Sequence, residues 1–312
     1  MLQDLFRIPG TDRYIHSFSL ALVIGFLLAL ELAKVLSRRS KIDPEILVNA
    51  GLIALVSGVI GARLSHVLEN WSQYSLPNKT FFENFKAAID VTSGGLTYYG
   101  GFLLATPCCI LYGIYKKVHI PTGMDIVAPC LMIGLGIGRV GCFLNGCCYG
   151  APADVPWAVR FPYYSIPYLD QVSNDKISPA TELLKDTPVG KRLMSPSEAE
   201  KSGLQRLIAL ERGKFRPIHP TQLYSTITAL MLAALLTAYY TTPHVPGRVF
   251  AWMCILEGAT RYLLEMLRVE PAVGRLFGYG LSLSMWIGIG LMLIGSLLWV
   301  VFGKFGKVTM PA

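Results

Sequence analysis

The sequence predicts an all-α polytopic membrane protein with about seven transmembrane helices and an extracytoplasmic head segment between helices four and five. Three observations carry that prediction. Of 312 residues, 53% are hydrophobic and only 15% charged, a balance far more apolar than a soluble chain of this length needs. The apolar residues collect in runs of about 20, the length that crosses a hydrocarbon core. Basic residues stand in the short stretches that flank those runs, as topology requires. The formal charge of +8 therefore belongs to loops and not to a compact basic domain, and nucleic acid is excluded as a partner.

The first run, 17–36, follows MLQDLFRIPGTDRYIHS, which lacks the basic start, short apolar core and small-residue cleavage site of a signal peptide, so the run is expected to stay in the mature protein. Further runs lie at 46–68, 95–115, 124–145, 221–240, 249–267 and 281–302. Polar or turn-forming stretches separate them: SRRSKIDP, residues 69–93, YKKVHIPTG, the long segment 151–218, TTPHVPGR and RVEPAVGR, with a GKFGK tail. Residues 1–312 read as one membrane-embedded domain, with 151–218 as an insertion carrying ten basic and eight acidic residues. Within it SPSEAEKSGLQRLIALER (195–212) opens on a Ser195/Glu198 capping box and places Leu204, Leu207 and Ile208 at helical spacing. An amphipathic helix is expected there, packed on the outer domain by default or else lying on the membrane surface.

Seven spans put the termini on opposite sides. Arg38, Arg39, Lys41, Lys116, Lys117, Arg248, Lys304 and Lys307 share one side, which the positive-inside rule assigns to the cytoplasm. The N-terminus is then extracytoplasmic. On that outer level Arg63 and His66 end the second helix, Tyr98 and Tyr99 begin the third, and Arg139 and Asn145 end the fourth. His219, Gln222 and Tyr224 begin the fifth, and Arg261, Glu265 and Arg268 end the sixth. Ionisable groups inside a membrane are costly and mark a shared cavity or functional site. Single arginines at helix ends can snorkel, and Glu265 can pair with Arg261 or Arg268 along one face. Four arginines against one carboxylate nevertheless leave positive charge unmatched, and the anion that suits guanidinium at lipid depth is the phosphate of a phospholipid headgroup.

The runs SGGLTYYGG (93–101), GRVGCFLNGCCYG (138–150), PWAVRFP (156–162), HPTQLYS (219–225) and RYLLEMLRVEP (261–271) resemble the prolipoprotein diacylglyceryl transferase family in order and spacing. The match covers most of the chain and is weakest over 163–216. The resemblance implies a seven-helix enzyme of the bacterial inner (cytoplasmic) membrane with an extracytoplasmic N-terminus. It implies transfer of the diacylglyceryl group of phosphatidylglycerol to the lipobox cysteine sulfhydryl of a prolipoprotein, giving a thioether and glycerol 1-phosphate, with the bilayer as surrounding partner. On residues, it implies Arg139 and Arg261 on the phosphate, with Asn145, Gly150, Glu265 and Arg268 completing the pocket. Arg63 and His219 join these as candidate substrate-binding residues. No cofactor and no metal are expected.

Two departures from the family pattern stand out. Where many members carry a histidine, a candidate base for the thiol, this chain has Tyr99, a weak base near neutral pH since a phenol ordinarily titrates near pH 10; the pocket-lining tyrosine of the first helix appears as Phe18. Cys142, Cys147 and Cys148 form the second. Small buried residues that let helices approach are the expected reading, with zinc or a redox centre the lesser one, since no matching His/Cys group with ligand spacing stands elsewhere in the outer part. A Cys142–Cys147 disulfide would need the helix to end between them, because five residues apart on one helix they point to different faces. Two other functions stay open at this level: a catalytically silent relative that binds phospholipid or lipoprotein, and an anion or lipid transporter, which the lack of an internal repeat disfavours.

Overall fold

The computed structural model describes residues 4–7, 14–75, 80–90, 95, 97–187, 190–268 and 280–308. A short antiparallel pair, β1 (Asp4–Arg7) and β2 (Tyr14–His16), precedes α1 (Ser17–Arg39) and α2 (Pro44–Glu69). Two short helices, α3 (Trp71–Tyr74) and α4 (Phe81–Ile89), lead to α5 (Tyr98–Tyr115) and α6 (Ile120–Asn145). The segment that follows contains α7 (Ile166–Ser173), the hairpin β3 (Leu184–Thr187) and β4 (Gly190–Leu193), α8 (Pro196–Lys201) and α9 (Gln205–Lys214). The chain closes on α10 (Thr221–Tyr240), α11 (Arg248–Glu265) and α12 (Leu283–Phe305).

Among the described residues seven long helices occupy the seven apolar runs, and this is a multi-pass membrane protein. Helices α1, α2, α6, α10 and α12 are each long and apolar enough to cross a bilayer; the apolar part of α5 is shorter. Helix α11 stands outside that set because Arg248, Glu257, Arg261 and Glu265 all fall within its 18 residues. Neighbours pack in the series α5 on α2, α2 on α1, α1 on α6, α6 on α10 and α11, and α11 on α12. Leu36, Ile126, Leu236 and Val249 are no more than 1% exposed at the centre, whereas Leu103 and Leu293 on the rim are 71% and 66% exposed. Apolar residues facing outward in this number are what lipid as solvent permits.

With lipid tails as apolar as leucine, helix association depends on close backbone approach. A Cβ at Gly258 of α11 would stand 2.5 Å from the Gly288 carbonyl of α12, and one at Gly288 would stand 2.8 Å from that of Gly258. Helices α2 and α5 meet in the same way, with Gly100 against Ser65 and the Gly61 carbonyl. At the end of the bundle away from the long insertion, Asp125 of α6 is 1% exposed. It accepts from the backbone N–H groups of Gly247 (2.6 Å) and Phe250 (2.9 Å), and so caps the start of α11 from a neighbouring helix. His244 lies 3.5 Å from the same carboxylate while its Nδ1 donates to the Thr242 carbonyl at 2.7 Å.

The insertion builds its own apolar cluster, centred on Phe161, Tyr168, Leu183, Phe215 and Ile218. Its buried carboxylate, Glu211, is satisfied by the Tyr168 hydroxyl (2.6 Å), the Ala180 N–H (3.0 Å) and Lys214 (2.7 Å). Burial, followed by the bond to Glu211, pushes the Tyr168 phenol well above its ordinary value. The segment enters and leaves side by side: Pro152 and Val159 bridge to Ile218, and the His219 N–H donates to the Ala151 carbonyl at 2.9 Å.

Two sequence expectations need correction. The stretch 195–212 is two helices, because Gly203 adopts φ +72° and turns the chain between α8 and α9. The Ser195/Glu198 capping box does form, and Ala199, Leu207 and Ile208 pack on the insertion's own cluster. Residues 69–93 are not only a turn, since Thr80 and Glu83 make a capping box that starts α4.

Gly258→Leu is expected to lower the thermal midpoint of the detergent-solubilised protein, at a cost of about 1–3 kcal/mol for overpacking against backbone. His244 gives a pH signature. Burial opposes its charge, but bonding to Asp125 and to the Thr242 carbonyl outweighs burial and raises its pKa. With Nδ1 donating to a carbonyl, a neutral ring would turn a lone pair toward a carboxylate. The resulting stabilisation is complete below about pH 6.5 and is lost as pH climbs through the raised folded-state value. The thermal midpoint is therefore expected to fall between about pH 6 and about pH 9 in the wild type, and to fall less in His244→Gln.

Candidate active site

Helix α6 stops because Gly146 takes φ +78°, a left-handed conformation that a β-carbon disfavours. The Gly146 N–H donates to the Phe143 carbonyl (3.2 Å) and the Cys147 N–H to that of Cys142 (3.1 Å), which is a Schellman closure. The turn leaves residues 147–151 under the start of α10 and the end of α11. Gln222 Nε2 donates to the Cys147 carbonyl (2.7 Å) and Thr221 Oγ1 to that of Cys148 (2.9 Å). The Gly150 N–H reaches the His219 carbonyl at 3.0 Å and the Ala151 N–H that of Leu267 at 2.8 Å. A Cβ on Gly150 would stand 2.6 Å from that of His219, which is why glycine is required there.

This clamp gathers most of the predicted residues. Gly150 bridges to Arg268, and the Asn145 side chain engages Cys147. His219 Nδ1 is 3.2 Å from the Tyr224 hydroxyl, which also receives the Trp157 indole N–H at 2.6 Å. Arg268 pairs with Glu265 at 3.2 Å, and the Ser282 hydroxyl donates to the other oxygen of Glu265 at 2.9 Å. Arg261 reaches the Ser284 hydroxyl at 3.5 Å, and its buried Nε has no hydrogen-bond partner. Arg139 forms no hydrogen bond or ion pair among the described residues; its charge acts on Cys148 and on Glu257.

Two predicted residues stand elsewhere. Arg63 is 5% exposed, and its guanidinium donates to the carbonyls of Ala88 (2.8 Å), Ala87 (2.8 Å) and Gly95 (3.0 Å), with Tyr74 beneath it. It thereby fastens the end of α4 and the approach to α5 to α2. Tyr99 begins α5 on that same α2–α5 pair and is 42% exposed. His66 lies edge-on to Tyr74 nearby.

The charge balance also changes. Glu257 of α11, one turn before Arg261, feels both Arg261 and Arg139 without a salt bridge to either. Glu257 is hidden in the sequence by the apolar run around it, and its i, i+4 spacing to Arg261 is the one signal there. With Arg63 held by carbonyls, Arg139, Arg261 and Arg268 face Glu257 and Glu265. Among the described residues, three cations against two carboxylates leave positive charge in excess. That excess, on a half-buried guanidinium whose Nε–H is unused and on a second with no partner among the described residues, suits a phosphate anion.

The three cysteines converge at the turn, with all three Sγ atoms within 4.8 Å of one another. The Cys148 thiol lies below the ordinary value, held down by hydrogen bonds from Cys142 and Cys147 and by the charges of Arg139 and Arg268.

The family model described as prolipoprotein diacylglyceryl transferase matches residues 3–301. Three relatives bear the name phosphatidylglycerol–prolipoprotein diacylglyceryl transferase. That of Corynebacterium glutamicum is 28% identical over 261 residues, covering 83% of this chain and 71% of the relative. That of Corynebacterium diphtheriae is 27% identical, covering 91% and 87%. That of Bordetella parapertussis is 27% identical, covering 90% and 88%.

Glu265→Ala is expected to destabilise the detergent-solubilised protein by up to about 3–5 kcal/mol, because it takes away the carboxylate that Arg268 and Ser282 share. Thermal unfolding checks this, and Glu265→Gln should lose less because it keeps an acceptor for Ser282.

Proposed function

The chain belongs to the prolipoprotein diacylglyceryl transferase family, and from that membership we propose that it moves the diacylglyceryl group of phosphatidylglycerol onto the sulfhydryl of a prolipoprotein lipobox cysteine. The sulfur, deprotonated, attacks the lipid carbon that bears the phosphate ester. The carbon–oxygen bond breaks, its electron pair leaves on the phosphate oxygen, and a thioether and glycerol 1-phosphate result. The reaction needs a thiolate and a stabilised leaving phosphate.

Arg139 and Arg261 hold the phosphate in this reading, and Arg268, Glu265, Asn145 and Gly150 frame it. His219 lines the neighbouring wall, Arg63 secures the α2–α5 side, and Tyr99 orients the incoming thiol or the departing group by its hydroxyl. The setting is the bacterial inner membrane, with the N-terminus and the 151–218 insertion extracytoplasmic. The basic residues at the far ends of the helices support that orientation.

The observation that carries the proposal is Arg139, a cation at the end of a membrane helix with no hydrogen bond or ion pair among the described residues, beside an Arg261 whose Nε is unused. Such groups placed where charge develops contribute about 10²–10³-fold in rate. The test is complementation of a bacterium depleted of its own transferase, read as a mass gain of one diacylglyceryl group on a prolipoprotein cysteine. The wild type should restore the gain, and Arg139→Ala should reduce it by about 10²–10³-fold. Full transfer by Arg139→Ala would remove that residue from the mechanism, and no transfer by the wild type would favour a silent lipid-binding relative.

A further inference from the structure

The three thiols at the end of α6 take part in none of the steps above, yet the backbone is shaped to gather them. The Schellman closure at Gly146 brings Cys147 back to Cys142, and the Cys147 Sγ lies 3.7 Å from the Cys142 carbonyl oxygen. Cys148 sits at φ +58°, in the left-handed region that a residue with a β-carbon adopts at a cost. Gln222 and Thr221 hold the carbonyls of Cys147 and Cys148, so the turn is fixed from α10 while its thiols stay together.

Sulfurs within 4.8 Å of one another are close to the spacing of about 3.8 Å that tetrahedral zinc with sulfur bonds near 2.3 Å imposes, a difference that small χ1 rotations close. Among the described residues the group holds three ligands and no fourth. Three protein ligands with one open position is the pattern of reactive zinc sites, whereas structural sites are closed by four. Arg139 and Arg268, both acting on Cys148, supply the positive surroundings that a trithiolate on a divalent cation, with its net negative charge, requires.

We propose that Cys142, Cys147 and Cys148 bind zinc, and that the open fourth position takes the sulfhydryl of the prolipoprotein cysteine as a thiolate. The second half rests on the transferase reading. Coordination releases the thiol proton to water. The bound sulfur then forms the S–C bond at the lipid carbon, the C–O bond to phosphate breaks with its electron pair on oxygen, and the thioether, a poor ligand, departs. Zinc thereby supplies the ionisation of the substrate thiol. A thiol with its ordinary pKa near 8.5 is only about 3% ionised at pH 7.

The test uses full-length protein in detergent, stripped with a chelator and loaded with Co²⁺ alone as the optical probe. Wild type and Cys109→Ser should show an intense sulfur-to-cobalt charge-transfer band, and Cys147→Ser should lose it. A synthetic lipobox peptide with one cysteine should shift the visible cobalt bands, and its serine counterpart should not. Zinc-loaded wild type should transfer at a rate nearly independent of pH between about pH 7 and about pH 8.5, while stripped protein should lose about tenfold per pH unit, about 30-fold by pH 7. No band, a band that survives Cys147→Ser, two of the three thiols found joined as a disulfide, or identical pH profiles with and without zinc would each overturn the proposal. A wild type that transfers but shows no band removes the zinc site alone, and a Cys147→Ser variant that loses the band yet transfers at the wild-type rate removes the role of the fourth position. A band in a protein that transfers nothing at any pH removes the transferase reading, and with it the role of the fourth position.

Discussion

A guanidinium kept at the edge of a hydrocarbon layer must have oxygen around it, and the several ways this chain meets that demand organise the molecule. Arg63 is met by three backbone carbonyls and becomes a fastening between α2 and the segment before α5. Arg268 is met by Glu265, which Ser282 steadies from the start of α12. Arg139 and Arg261 are met least, and they lie where α6 and α11 approach each other. The same residue type serves structure at one place and is available for chemistry at another, and the difference is whether the fold has already supplied the oxygens.

The helices were legible because a bilayer imposes one length and one polarity on anything that crosses it; all seven runs became helices, and turn residues marked their ends. The charge count was legible only in part. Carbonyl acceptors have no signature in the side-chain sequence, so nothing marked Arg63 as already satisfied. Glu257 lay inside an apolar run and drew no attention. The single helix expected over 195–212 failed for a local reason: periodicity in Leu204, Leu207 and Ile208 continued across a Gly203 whose positive φ no helix accepts. Asp125 capping α11 from α6 joins residues 122 apart in sequence, and pairing at that range leaves no local pattern to read.

The cysteines show how much depends on where a helix ends. On a continuous helix the 142 and 147 side chains would diverge. One glycine in a left-handed conformation reverses the chain, and thiols that spacing alone would have separated come within reach of one another. The turn that gathers them also presents Gly150 to His219 and Arg268, so the sulfur cluster and the arginine pocket are two faces of one short loop.

The neck of the insertion has a consequence for length. Residues 151–159 and 217–219 are hydrogen-bonded to each other where the segment leaves and rejoins the bundle, so everything between hangs from a closed base. The intervening stretch can gain or lose residues, or exchange its small fold for another, while the clamp on Gly150 and the ends of α10 and α11 keep their places. Evolution is thereby free to reshape the insertion independently of the loop that carries Gly150.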